Sequence, residues 1–251
     1  MMELPTEKIP ATSKSPKRLF IYGPPKCGKT TAISLLENLL LIDLEKGSSF
    51  VEAMKVQVNN IDELREVITA VHKNNYPYKY GVIDTTTKLQ DMVLPLAANL
   101  YRDTPMGSNW GRLKDGETPD PNADILTLPK GGGYLYLRKA FMRIINALDE
   151  CFERVIYTGH LKDTLLEKEG KEVSVTDIDL SGKIKNIICA NSDAVGYMYR
   201  SENKTILSFN TAKSIICGAR PPHLRNKDIE IVEYDEEKHK FTSYWDRVYV
   251  D

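Results

Sequence analysis

Gly23-Pro24-Pro25-Lys26-Cys27-Gly28-Lys29-Thr30 has the spacing G-x-x-x-x-G-K-T. These residue types in this order suit a polyphosphate. Two glycines permit a tight turn in which successive backbone N–H groups converge on one point. A helix starting there adds its free N-terminal N–H groups and the positive end of its dipole. Lys29 has the reach to meet the outer phosphates of a nucleotide, and the Thr30 hydroxyl is placed to ligate Mg2+. Thr31 extends the row of N–H donors. The expected nucleotide-binding set is therefore Gly23 to Thr31, with ATP and Mg2+ as ligands.

Such a loop works only between a strand and a helix. Arg18-Leu19-Phe20-Ile21-Tyr22 is a short apolar and aromatic run that reads as a buried strand, and residues 31–40 have helical spacing. Residues 39–47 read as a second strand with an acidic end. Residues 61–74 carry Ile61, Leu64, Ile68 and Val71 at amphipathic helical spacing. Tyr80–Asp84 reads as a third strand and 87–101 as a helix with Pro95 as a kink. Residues 102–133, rich in Gly and Pro, read as a long loop, 134–150 as a helix, and 154–160 as a fourth strand. A polar stretch follows at 162–183, then a short helix over 184–190. Beyond it lie a hairpin over 194–200 and 205–209, a strand over 213–218, and a second hairpin over 229–234 and 241–245. Early βα alternation with late hairpins predicts an α/β fold: a mostly parallel central sheet flanked by helices, with C-terminal antiparallel β-hairpins. The expected organisation is a flexible arm over 1–17, the main domain over 18–220 and a C-terminal hairpin extension over 221–251.

Composition sets the bounds. The chain has 251 residues, 41% hydrophobic and 27% charged, which suits one globular body. The net charge of −1 supplies no general basic field for nucleic acid. Cys27, Cys151, Cys189 and Cys217 form no C-x-x-C pair, so neither a zinc site nor a disulfide framework is indicated. The absence of a leader-like or long apolar run points to a cytoplasmic protein with no membrane partner.

Two carboxylates at strand ends extend the chemistry. Asp84 is placed either to hold the Mg2+ that bridges the phosphates or to cap the helix after it. The next residue is Thr85 rather than a second acid, so a base for the attacking water must come from elsewhere. Glu45, at the end of the second strand, is the expected base, with a plain surface glutamate as the alternative. Asp43 is expected to be structural.

With these residues in view, the chain resembles RecA-type ATPases, and most of all the phage-encoded, RecA-like ATP-binding proteins often described as AAA-family ATPases. The resemblance rests on the phosphate loop, on Asp43-Leu44-Glu45 with Gly47, and on the Asp84-Thr85 strand end. It also rests on Gly159-His160 with Lys162, and on Ser181-Gly182-Lys183 with Asp193, and it spans most of 18–220. It implies a RecA-like P-loop NTPase fold. It implies further that Glu45 is the catalytic base, that His160 stands where a polar sensor of the γ-phosphate belongs, and that Arg220 reaches a neighbouring subunit's ATP. It places DNA-binding loops at 102–133 and 162–180.

Charge gives these loops no independent support: 162–185 carries five lysines against six acidic residues. Trp110, Tyr134 and Tyr136 are aromatic groups able to stack on bases, Tyr134 and Tyr136 being equally suited to a helix core. The function implied is an oligomeric, DNA-stimulated ATPase acting on single-stranded DNA in recombination, annealing or replication, together with other phage proteins of those processes, in the host cytoplasm. Two alternatives stay open: an ATP-dependent loader or interaction module that does not touch DNA, and a P-loop small-molecule or nucleotide kinase. The kinase is disfavoured because 102–133 holds only Arg102 and Arg112 and 162–183 no arginine to form a phosphate-clamping lid.

Overall fold

The computed structural model describes residues 4, 6–168, 171–211 and 215–250. A 10-stranded sheet runs through the molecule. Its parallel part consists of β1 (Arg18–Tyr22), β2 (Leu39–Asp43), β3 (Lys55–Gln57), β4 (Tyr80–Asp84), β5 (Arg154–Gly159) and β8 (Ala194–Ser201). The order across this part is β8-β1-β5-β4-β2-β3. Antiparallel strands β9 (Lys204–Ser208), β11 (Asp228–Asp235) and β12 (Lys240–Ser243) continue it beyond β8, and the short β10 (Gly218–Ala219) also pairs with β8. This is the expected α/β architecture.

Alternation along β1 shows how the layers form. Phe20 and Tyr22 enter one apolar cluster, Leu19 and Ile21 another, and all four are fully buried. The first cluster is roofed by α2 (Ile61–Lys73), α3 (Thr86–Met92), α4 (Leu94–Arg102), α5 (Gly132–Cys151) and α6 (Gly182–Asn191). The second is roofed by α1 (Lys29–Ser34) and the chain's last turns. Only six residues long, α1 covers little by itself. Trp245, Val248 and Tyr249 complete the layer, and the Trp245 indole N–H donates to the Ala32 carbonyl at 2.7 Å. Each fully buried Leu, Ile or Val of these layers contributes about 1.5–3 kcal/mol. The hairpin over 228–243 is thus continuous with the main sheet, and the segment after it supports the phosphate-loop helix.

Several elements differ from expectation for identifiable reasons. The expected helix over 87–101 is two helices parted at Val93, with Pro95 in the first turn of the second, where its missing N–H costs nothing. The polar stretch 162–183 contains an antiparallel ribbon, β6 (Leu161–Lys168) with β7 (Lys171–Ile178), which joins no larger sheet. Both strands are mostly polar and charged in sequence, so no apolar run marks them as buried strands. Strand β3 is only three residues long at the sheet edge and was likewise illegible. Of the strand expected over 213–218, residues 213 and 214 lie outside the described residues, and β10 begins only at Gly218. The long segment 102–133 is built of turns and two short 3-10 helices. It is anchored by buried Ile125 and by Gly133, where a Cβ would lie 1.9 Å from the Ile125 carbonyl oxygen.

Candidate nucleotide site

Parallel alignment brings the strand ends together. Tyr22 pairs with Gly159 and Asp43 with Asp84, so the loop after β1, Asp84, Glu45 and His160 all emerge at the carboxyl edge of neighbouring strands. Open α/β sheets bind ligands at this edge. The loop fits tightly against its neighbour, because a Cβ on Gly23 would lie 2.1 Å from the Met198 carbonyl oxygen of β8. Gly28 caps α1 with φ of 96°, a conformation that favours glycine. Lys29 is 8% exposed, and its ammonium donates to the Gly23 and Pro24 carbonyls at 2.9 and 3.0 Å. Pro25, Lys26 and Cys27 complete the turn, and burial pushes the Cys27 thiol up from its ordinary pKa.

Behind the loop, the Thr30 hydroxyl donates to Asp84 Oδ2 at 2.8 Å, and the Thr158 hydroxyl of β5 donates to Oδ1 at 2.6 Å. Burial raises the pKa of Asp84 above the usual carboxylate range, against the hydrogen bonds from Thr158 and Thr30. A buried carboxylate with hydroxyl donors and, among the described residues, no cationic partner suits a divalent ion, which would hold it ionised. Among the described residues no cluster of three or more His, Cys, Asp or Glu side chains can hold a metal. Thr30 and Asp84 are the side chains here that could hold such an ion, with water and phosphate oxygens completing a shell typical of Mg2+.

Glu45 lies two residues beyond Asp43. His160 Nε2 is 2.8 and 3.0 Å from its two carboxylate oxygens, and the Thr85 hydroxyl donates to Oε1 at 2.7 Å. Nε2 carries the proton if this contact is a hydrogen bond. Glu45 and His160 are about one third exposed, so water reaches them. Asp43, by contrast, is 1% exposed. It accepts from the Ser48 hydroxyl and from the Glu45, Gly47 and Ser48 N–H groups at 2.6–3.3 Å. Burial opposes ionisation of Asp43, but these four donors outweigh it and lower its pKa. Its work is to fold the 44–48 turn that carries Glu45.

The structure gathers Lys29, Thr30, Asp84, Glu45 and His160 into one region but leaves Arg220 out of it. Arg220 stands at the opposite end of the sheet, where its guanidinium pairs with Asp193 at 3.1 Å and donates to the Ala190 carbonyl. Trp110 and Tyr136 both pack on Tyr101, at 5.5 and 5.0 Å between ring centroids, whereas Tyr134 is half exposed. Thr158 was not singled out from the sequence, and Thr85 was noted only as the residue after Asp84, with no role on Glu45. Thr158 had a faint signal as a hydroxyl near the end of an apolar strand. Thr85 had only its place after Asp84, which points equally to helix capping, and its hydroxyl does accept from the Lys88 N–H at 3.2 Å.

A glycine-bounded loop with a buried lysine, at the carboxyl edge of a parallel sheet and backed by a Thr–Asp pair, defines a P-loop nucleotide-binding fold. The family model described as AAA domain matches residues 15–220, and the chain belongs to that family. No curated protein matches the chain. Among solved structures, one titled "Crystal structure of the RadB recombinase" is similar at a TM-score of 0.46 and 10% identity, covering 92% of each chain. No helix among the described residues is long and apolar enough to cross a membrane.

Proposed function

We propose that this protein is a RecA-like ATPase that binds ATP with Mg2+ and couples its hydrolysis to single-stranded DNA. The observation that carries the proposal is the Glu45–Thr85–His160 cluster beside the Thr30–Asp84 pair. In the proposed reaction, Lys29 gives up its loop carbonyls for the phosphates, and the N–H groups of 28–31 hold the phosphate chain. Thr30 and Asp84 would hold Mg2+, which would supply positive charge to the phosphate oxygens. Glu45 accepts a proton from the water that attacks the terminal phosphorus, and the bond to the bridging oxygen of ADP breaks. His160 and Thr85 orient Glu45 as its positioning residues.

His160 immediately precedes β6, and its carbonyl accepts from the Asp179 N–H at 2.9 Å just after β7. A ligand that moves the ribbon would therefore move the residue that holds the base. This supports the ribbon of β6 and β7 as a DNA-responsive element. Tyr134, with Arg138 and Lys183 between the starts of α5 and α6, supplies an exposed aromatic ring and two cations beside it. The proposal extends to a homo-oligomer, in which Arg220 would reach a neighbour's ATP only by releasing Asp193, and to a phage role in recombination, annealing or replication.

The test is the ATPase rate with and without single-stranded DNA across salt concentrations. Stimulation that fades with salt is expected, because phosphate contacts release counterions. Hydrolysis indifferent to DNA would favour the loader reading, and Lys29→Ala with native turnover would overturn the nucleotide site itself.

A further inference from the structure

We infer that Arg200 is a second cation of the nucleotide site, contacting the polyphosphate of a nucleoside triphosphate held by its own subunit's loop. The inference rests on reading residues 23–31 as that site.

Strand β8 lies parallel to β1, with Tyr197 opposite Tyr22. Arg200 stands three residues further on, at the level where β1 has given way to the loop. The contact of Gly23 with the Met198 carbonyl presses the loop onto this end of β8. The Arg200 Nη2 atom lies 3.4 Å from the point where a Cβ on Gly28 would stand, and the Thr205 hydroxyl lies 3.8 Å from it. Gly28 is the cap residue of α1, where free N–H groups and the helix dipole already concentrate positive potential.

Three other cations on or beside β1, β9 and β10 are paired: Arg18 with Asp149, Lys204 with Glu230, Arg220 with Asp193. Arg200 is exposed, and its guanidinium has no hydrogen-bond or ion-pair partner among the described residues. An unpaired guanidinium beside a helix N-terminus adds like charge to like, and an anion resolves the conflict. The Cys27 thiol inside the loop already feels this charge, with Lys29 and Arg200 both opposing the effect of burial. A planar guanidinium meets two phosphate oxygens at once, which a lysine ammonium does not.

The test measures binding of ATP and of inorganic tripolyphosphate to the full chain by competition with a fluorescent ATP analogue. Arg200→Ala should weaken both by the same factor, about 10- to 100-fold, the usual effect of losing a hydrogen bond to a charged group. Arg200→Lys should recover part of the loss. Melting without nucleotide should be native, as the side chain is exposed. If Arg200→Ala melts early, Arg200→Gln is used, which keeps a polar side chain but removes the charge and the bidentate fork, and should also weaken both ligands. Native affinity for both ligands in a folded variant would overturn the inference. Weakened ATP with unchanged tripolyphosphate would also overturn it, by moving the contact to the base or sugar. Failure of the native chain to bind ATP would instead overturn the reading of the loop.

Discussion

Replacing Glu45 by Gln removes a proton acceptor while keeping shape. The carboxylate of Glu45 is held by three contacts, from Thr85 at 2.7 Å and from His160 at 2.8 and 3.0 Å. The amide retains one oxygen for Thr85 or His160, so the side chain should stay near its native position. What it loses is the capacity to take a proton from water, which is worth roughly 100- to 10,000-fold in rate. That corresponds to about 3–5 kcal/mol in the barrier. ATP affinity should change little, because no hydrogen bond joins Glu45 to the loop. Phosphate release under single turnover at saturating ATP measures the first effect, and titration with a fluorescent ATP analogue the second.

His160→Ala probes the same point from behind. Loss of its grip should misplace the base and cost about 10- to 100-fold, with partial rescue by His160→Gln. If His160 acts only through Glu45, adding His160→Ala to Glu45→Gln should cost nothing further, a strong departure from additivity. Glu45→Gln turnover within threefold of native would refute the assignment of the base. Additive losses in the double variant would refute the positioning role.

The Asp43 carboxyl has a lowered folded pKa, so its ionised form stabilises the fold above the ordinary carboxylate range, and that contribution should disappear as pH falls below about 4. Asp43→Ala should cost about 3 kcal/mol or more by stranding the donors of the 44–48 turn; urea unfolding should show this near neutral pH and a shallower acid limb than native. Gly23→Ala places a Cβ 2.1 Å from the Met198 carbonyl oxygen, so the loop must shift. The expected result is about 1–3 kcal/mol of destabilisation with weakened ATP binding; native melting and native affinity together would show that the loop is not pressed against β8.

How much of this was legible beforehand depended on the range of the interaction. Residues 23–31 announced their chemistry because a phosphate cradle is local: its glycines, lysine and hydroxyl act within one turn and one helix start. The hydrophobic runs of β1, β2, β4 and β5 were legible for the same reason, since strands buried on both faces are continuous apolar segments. Asp84 and Glu45 could be proposed because strand ends are where such sheets place function.

Their partners could not be read, because they come from across the sheet. Strand β5 falls between β1 and β4, and only that order puts the Thr158 hydroxyl on Asp84. His160 meets Glu45 across 115 positions of sequence. Trp245 supports α1 from the far end of the chain, and Arg200 reaches the loop because β8 is β1's other neighbour. Arg220 illustrates the reverse, a conspicuous charge that the fold gives to Asp193 at the other end of the sheet. The sequence by itself determined the cradle and the strands that carry it. Strand order, which is set by packing among distant segments, decided which side chains stand around it.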